Sequence, residues 1–93
     1  MSKRQEFRAA LMWEDDLGNS RSTWGSCLDV SETRGVFQVT ESIPAYRPVY
    51  VRINDLNLEA YGTVRSSSLQ GKVEVEFSQP PTHMARFLLN EKL

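Results

Sequence analysis

Short runs in which apolar and polar residues alternate are the feature that most constrains the fold of this chain. The clearest runs from Lys72 to Phe77, where Val73, Val75 and Phe77 share one face and charged residues occupy the other. Alternation with a period of two is typical of a half-buried β-strand. Five further runs are predicted as strands, at 9–13, 21–30, 36–40, 49–53 and 58–65. Short strands about 10 residues apart, joined by turns, predict a small antiparallel barrel or sandwich.

Turn-forming residues separate these runs. Two prolines interrupt the segment 41–48, which therefore cannot be a regular strand. The residues from Asn54 to Asn57 have the composition of a hairpin turn. Gly25 lies within the second run and predicts a bulge or a bend there. Strict alternation in that run predicts one face with Trp24, Ser26, Leu28 and Val30, and an opposite face with Thr23, Gly25, Cys27 and Asp29.

A chain of 93 residues suits one domain and is too short for two. Residues 1–8 are polar and basic and predict a flexible N-terminal arm, and the barrel is expected over 9–79. Two prolines end the last strand, and Thr82 can then cap a short helix over 82–92 whose apolar residues have helical spacing. The expected fold class is all-β: a six-stranded antiparallel β-barrel with a flexible N-terminal arm and a short C-terminal helix.

Charge and cysteine usage limit the classes of function. A net charge of -1 leaves no overall field to attract nucleic acid or an anionic membrane, so any anion site must be local. The single cysteine, Cys27, excludes an internal disulfide and is consistent with a reducing compartment. No apolar signal core follows the N-terminus, and no apolar run approaches the length of about 20 residues that a membrane helix needs. We therefore expect a cytoplasmic protein that does not insert into a membrane.

Residues with catalytic chemistry are few. His83 is the only histidine and is expected to be exposed at the start of the terminal helix. Cys27 lies in a strand pattern, which favours a small core or inter-strand residue over a nucleophile. One cysteine and one histidine cannot form a zinc site alone, and the sequence has no glycine-rich phosphate loop. We expect neither an enzyme nor a bound cofactor.

Two short motifs have chemistry that suits a nucleotide. In Arg4-x-x-x-Arg8, two guanidinium groups can bind phosphate or the Hoogsteen edge of guanine and can stack on a purine, although such pairs are common in basic N-termini. In Asp29-x-Ser31, the carboxylate can accept from guanine N1 and N2 and the hydroxyl can bind phosphate. Gly35 permits a positive φ or a close approach of a ligand. The alternative for the second motif is an ordinary turn in which Asp and Ser cap backbone groups.

Together these motifs resemble the PilZ domain, and the resemblance covers essentially the whole chain. It rests on Arg4-x-x-x-Arg8, on Asp29-Val30-Ser31 with a following glycine, and on the later segments Gly62-Thr63-Val64-Arg65 and Gly71 to Phe77. PilZ domains are six-stranded antiparallel barrels that bind the bacterial second messenger cyclic di-GMP. The resemblance implies that Arg4 and Arg8 clasp guanine and phosphate, that Asp29 binds a guanine edge, and that Ser31 helps to hold the other groups of the ligand.

The loop departs from the PilZ pattern in its length. The family loop has two residues between its serine and its glycine, whereas Glu32, Thr33 and Arg34 separate Ser31 from Gly35 here. Arg34 thus stands where the glycine is expected. Either Gly35 forms a bulge that rebuilds the loop, or the close backbone approach to the ligand is lost. Arg34 can offset the charge of Glu32 beside an anionic ligand, so Arg34 and Gly35 remain among the candidate ligand-binding residues.

The function implied by the resemblance is that of a cyclic di-GMP receptor or adaptor. Ligand binding is expected to order the N-terminal arm and to regulate an unidentified bacterial protein partner, with the receptor a monomer or a homodimer. The alternative is a PilZ-like scaffold that does not bind the nucleotide and acts through protein–protein contacts. A third hypothesis is the binding of single-stranded nucleic acid. Bases would stack on Tyr50 and Tyr61, with Arg52 and Arg65 nearby, but the net charge opposes this hypothesis.

Overall fold

A closed antiparallel barrel is the architecture of this chain in a computed structural model that describes residues 7–83. The strands pair in the order β4-β1-β2-β3-β6-β5-β7, and β4 also pairs with β5, which closes the first six strands into a barrel. This confirms the predicted all-β, six-stranded antiparallel barrel. The strands are β1 (Phe7–Glu14), β2 (Ser20–Val30), β3 (Arg34–Val39), β4 (Pro48–Ile53), β5 (Leu58–Ser67), β6 (Lys72–Phe77) and β7 (Thr82–His83).

The core fills the interior of the barrel with inward side chains from every long strand. The alternation predicted for β4 and β6 is confirmed, since the apolar members of both strands are buried. Burial of one such aliphatic or aromatic side chain contributes about 1.5–3 kcal/mol, which makes this interior the main source of stability. The largest fully buried side chains are those of Phe37, Leu11, Ile43, Val51, Val64, Val73 and Val75.

The predicted helix over 82–92 is wrong at its start. Thr82 and His83 form the short strand β7, which pairs with Glu59 and Leu58 of β5. The pairing of β6 with β5 ends at Phe77, so β5 has backbone groups beyond that point that a further strand can satisfy. Residues 84–92 of the predicted helix lie outside the described residues. Within 7–83 there is no α-helix, only a 3-10 turn at Asn54–Leu56, and no helix is long and apolar enough to cross a membrane.

The predicted N-terminal arm over 1–8 is wrong at its last two residues. Phe7 and Arg8 belong to β1 and lie opposite Cys27 and Ser26 of β2. Phe7 is half-buried and packs against the core, which accounts for the earlier start of the strand. The remainder of the arm, with Arg4, lies outside the described residues.

A β-bulge lies at Leu28 and not at Gly25, where it was predicted. The pairing of β2 with β3 shifts between Cys27 and Asp29, so Leu28 is the extra residue. Such a bulge places two successive side chains on one face of the strand. Asp29 therefore joins Leu28 on the outer face, whereas Val30 turns inward and packs against the core. The predicted faces of β2 are thus wrong for Asp29 and Val30.

Gly25 instead allows a close approach between strands. A Cβ atom built at this position would lie less than 3.0 Å from the backbone oxygen of Gln38 and from the side chain of Val39. Backbone atoms of a paired strand cannot move away without loss of the β2–β3 hydrogen bonds. Close packing of β2 on β3 therefore requires glycine at this position.

We expect Gly25→Ala to lower the free energy of unfolding by about 1–3 kcal/mol, because the added methyl group overpacks the β2–β3 contact. Denaturant unfolding followed by circular dichroism measures this change. Ser22→Ala, at an exposed position of the same strand, is the matched control and should stay within about 0.5 kcal/mol of the parent. Equal stability of the two variants would contradict the close approach at Gly25.

Candidate functional site

The pairing register sets two neighbouring rows of side chains on the outside of the barrel. One row runs from Arg8 in β1 through Ser26 and Gln38 to Lys72 in β6. The next row runs from Asp29 in β2 through Val36 and Glu74 to Ser66 in β5. Arg8 and Asp29, which are 21 residues apart in the chain, therefore face the same side of two adjacent strands.

A cleft of about 580 Å³ lies over the second row, and we call it the outer cleft. Leu28 and Val36 supply apolar surface, Asp29 lies on the β2 side, and serines lie on the β5 side. Both flanking strands are bulged here, β2 at Leu28 and β5 between Val64 and Ser66. Bulges bend a strand and re-aim its side chains, which gives this part of the wall its concave shape. The outer cleft is lined by Leu28, Asp29, Arg34, Val36, Ser66, Ser67, Ser68, Lys72 and Glu74.

Asp29 is available to a ligand. Its side chain is exposed, and within residues 7–83 its carboxylate forms no hydrogen bond or ion pair. The neighbouring Cys27 is buried, as predicted, and its thiol donates to the backbone oxygen of Asp29 at 3.6 Å. Burial raises the pKa of the Cys27 thiol, so this cysteine is a poor nucleophile. The polar group that the site offers at this point is the carboxylate.

Ser31 closes the turn between β2 and β3. Its hydroxyl oxygen accepts from the backbone N–H groups of Thr33 and Arg34, both at 3.3 Å, and its own N–H donates to the Arg34 carbonyl at 2.9 Å. This is the capping role that the sequence left open as the alternative to ligand binding. Ser31 thus fixes the shape of the turn that follows Asp29.

Arg34 and Gly35 are both strand residues, so the turn is not built around a left-handed glycine. Among the described residues, those with positive φ are Gly18, Tyr46, Asn57 and Gly71. Arg34 begins β3 in an extended conformation, and its Nη1 donates to Oε2 of Glu74 at 2.6 Å. It pairs with Glu74 and not with Glu32.

Gly35 faces the interior of the barrel. It is buried, and a Cβ at this position would lie 2.8 Å from ring atoms of Phe37 and 3.0 Å from Phe77. Glycine is therefore required here by aromatic packing. Gly35 is not among the residues that line the outer cleft.

Arg8 stacks on an aromatic ring that the sequence did not single out. Its guanidinium carbon lies 4.9 Å from the ring centroid of Trp24, a distance typical of a cation–π contact. Within the described part of the chain, no hydrogen bond or ion pair joins Arg8 to Asp29 or Ser31. Trp24 is 47% exposed, which is unusual for so large an aromatic residue. Its position on the outward face of a predicted strand is the sequence signal that could have identified Trp24 as a possible contact of Arg8.

The tyrosines proposed to stack bases are not both exposed. Tyr50 is half-buried, its ring centroid lies 4.8 Å from that of Tyr61, and its hydroxyl donates to Glu59 at 2.6 Å. Arg65, which that alternative placed near the tyrosines, forms an ion pair with Glu76 at 2.9 Å. Two carboxylates beside the rings and the arginine disfavour a polyanion on this surface.

Comparisons with known proteins do not add to this geometry. No family model, no curated protein and no solved structure matches the chain. Between Phe7 and His83, no group of three or more His, Cys, Asp or Glu side chains is arranged to hold a metal ion. The site is therefore described by its own residues: Arg8 on Trp24, the carboxylate of Asp29, which is unpaired within residues 7–83, and the outer cleft.

We expect Ser31→Ala to lower the free energy of unfolding by about 1 kcal/mol, because two backbone N–H groups of the turn lose their acceptor. Thermal and denaturant unfolding measure this change. Glu32→Ala, at an exposed position of the same turn, is the control and should be close to neutral. If both variants unfold like the parent, the hydroxyl does not hold the turn.

The raised pKa of the Tyr50 hydroxyl predicts that the folded protein loses stability at alkaline pH. Burial raises the pKa of Tyr50 from 10.0 to about 12, and the hydrogen bond to Glu59 acts in the same direction. Between these two values the unfolded chain loses the Tyr50 proton while the folded chain keeps it, so stability falls as the pH rises. Denaturant unfolding from pH 9 to 12 should therefore show a steeper decline for the parent than for Tyr50→Phe. Parallel declines would contradict the raised pKa.

Proposed function

We propose that the protein is a cyclic di-GMP receptor of the PilZ type that regulates a bacterial protein partner. The observation that supports this best is the register of β1 and β2, which puts Arg8 and Asp29 on the same outer side of adjacent strands. Cyclic di-GMP offers guanine edges to a carboxylate, and phosphates and purine faces to guanidinium groups. The two groups that the PilZ resemblance pairs thus lie on one outer surface of the barrel, where one ligand is proposed to contact both.

The residues have distinct roles in this proposal. Asp29 accepts from the N1 and N2 donors of one guanine, and Arg8 binds phosphate or stacks on a purine. Ser31 acts by fixing the turn after Asp29, and its hydroxyl is used within that turn. Arg34 stands at the rim of the outer cleft, where a phosphate can compete with Glu74 for its guanidinium group.

Arg4 supplies the second guanidinium group of the proposed clasp. It lies outside the described residues, and two residues separate it from Phe7, which gives a reach of at most about 11 Å over three Cα-to-Cα steps. Phe7 lies opposite Cys27, two residues before Asp29 on β2, so this reach includes the proposed site. Recruitment of Arg4 by the ligand would change the surface presented to the partner, which is how a binding domain can signal.

A second candidate function is that of a scaffold that acts through protein contacts alone. It is favoured by one observation: Ser31 and Arg34, two of the residues proposed to bind the ligand, already have partners within the chain. The surface available for such contacts includes Trp24, Tyr61 and Leu69, which are large and exposed. Direct titration with cyclic di-GMP separates the two functions.

Isothermal titration with cyclic di-GMP tests the proposal. We expect the full-length protein to bind, and Arg8→Ala and Asp29→Asn each to weaken binding by about 10-fold or more, because each loses a hydrogen bond to or from a charged group. Arg21→Ala is the matched control, since Arg21 is an exposed arginine of β2 that lies opposite Trp13 and pairs with Glu41. The control should bind like the parent.

Two results would contradict the proposal. Lack of binding by the parent protein would favour the scaffold function. Binding that is equally strong in the parent, Arg8→Ala and Asp29→Asn would place the ligand elsewhere on the barrel. Circular dichroism of each variant confirms that a loss of binding does not reflect unfolding.

A further inference from the structure

Two opposite charges remain in the outer cleft after its ion pair is formed. Arg34 and Glu74 neutralise each other through their contact of 2.6 Å. The charged groups left are the carboxylate of Asp29 and the ammonium group of Lys72, and within residues 7–83 neither forms an ion pair or a side-chain hydrogen bond. The cleft therefore presents an acceptor on one side and a cation on the other.

The strand order fixes the distance between these two sides. Asp29 is on β2 and Lys72 is on β6, with β3 between them. Adjacent strands are about 4.8 Å apart, and Lys72 pairs two residues further along β3 than Asp29 does, so the two backbones are about 12 Å apart. A single nucleotide, from its guanine edge to its phosphate, can span this separation together with the two side chains. Val36 lies between them and offers an apolar surface on which a sugar or a base can lie.

Hydrogen bonds hold the Lys72 side of the cleft in place. The Ser68 hydroxyl accepts from the backbone N–H groups of Gln70 and Lys72, at 3.2 and 3.1 Å. Gln38 donates from its side chain to the Gln70 carbonyl at 2.6 Å, which ties this turn to β3. Ser66 has no hydrogen-bond partner for its hydroxyl among residues 7–83 and lines the same cleft. A lysine and a hydroxyl on the two strands that this turn joins can together bind a phosphate.

We infer that the outer cleft binds one guanosine phosphate unit, with its guanine edge on Asp29 and its phosphate on Lys72 and Ser66. This inference rests on the proposed function and adds to it a phosphate-binding side that the two recognised motifs do not contain. Arg8, one strand away on β1, is then left to bind the second half of cyclic di-GMP. The Arg34–Glu74 ion pair offsets the charge of Glu74, the other carboxylate that lines the cleft.

Titration calorimetry with cyclic di-GMP on Lys72 variants tests the inference. Lys72→Ala should weaken binding by about 10-fold, the loss of one charge-assisted contact, and Lys72→Arg should restore most of the affinity. Arg21→Ala again serves as the control for loss of a cation from the surface. In ³¹P spectra of the complex, Lys72→Ala should move one phosphate resonance more than the other. Equal affinity of Lys72→Ala and the parent would overturn the inference and leave the proposed function intact.

A second probe distinguishes the inference from the proposed function. Amide resonances of the parent protein, titrated with guanosine 5′-monophosphate, should shift at Asp29, Ser66 and Lys72, and Lys72→Ala should reduce these shifts. If cyclic di-GMP does not bind but the mononucleotide shifts these resonances, the proposed function fails and the cleft assignment stands. If neither nucleotide shifts them, the cleft assignment is overturned.

Discussion

Closure of the barrel depends on the two pairings of β5. Residues 58–63 pair with β4, and residues 62–67 pair with β6, so one strand joins both ends of a sheet that would otherwise have two open edges. Gly62 lies where the two pairings overlap, and a Cβ at that position would come within 3.0 Å of the backbone oxygen of Glu76. Because closure fixes the order and tilt of every strand, it also fixes which outward side chains become neighbours.

Local alternation was enough to predict the strands but not their pairing. The strands β4 and β6 were recognised because β-branched residues alternate with polar ones in both. The bulge at Leu28 could not be recognised, since it arises from the fit of β2 against β3 and leaves no mark on the alternation within β2. The two-residue strand β7 is stabilised by free backbone groups of β5, which is a tertiary effect that side-chain propensity does not report.

The sequence predicts those parts of the candidate site whose residues lie close together in the chain, and not those that strand pairing brings together. Asp29 was identified as an available carboxylate, and the structure leaves it without a partner among residues 7–83. Gly35 was predicted to lie in the turn because of its spacing from Ser31. The pairing of β3 with β2 instead makes Gly35 a strand residue that faces the interior of the barrel. Trp24 and Lys72 were missed, because their relation to Arg8 and Asp29 exists only once β1, β2, β3 and β6 lie side by side.

Surface ion pairs occupy most of the described cationic side chains of this chain, whose net charge is -1. Arg21, Arg34, Arg47 and Arg65 each pair with a carboxylate, whereas Arg8, Arg52 and Lys72 form no such pair within residues 7–83. Exposed pairs contribute only about 0–1 kcal/mol each, so they add little to the stability of the fold.

The same small energy determines what Arg34 can do at the outer cleft. Its side chain is 64% exposed, and its pair with Glu74 is correspondingly weak. A phosphate in the cleft offers Arg34 stronger, bidentate acceptors at little cost in folding energy. The ion pair therefore occupies Arg34 in the free protein without removing it from the set of residues that a ligand can recruit.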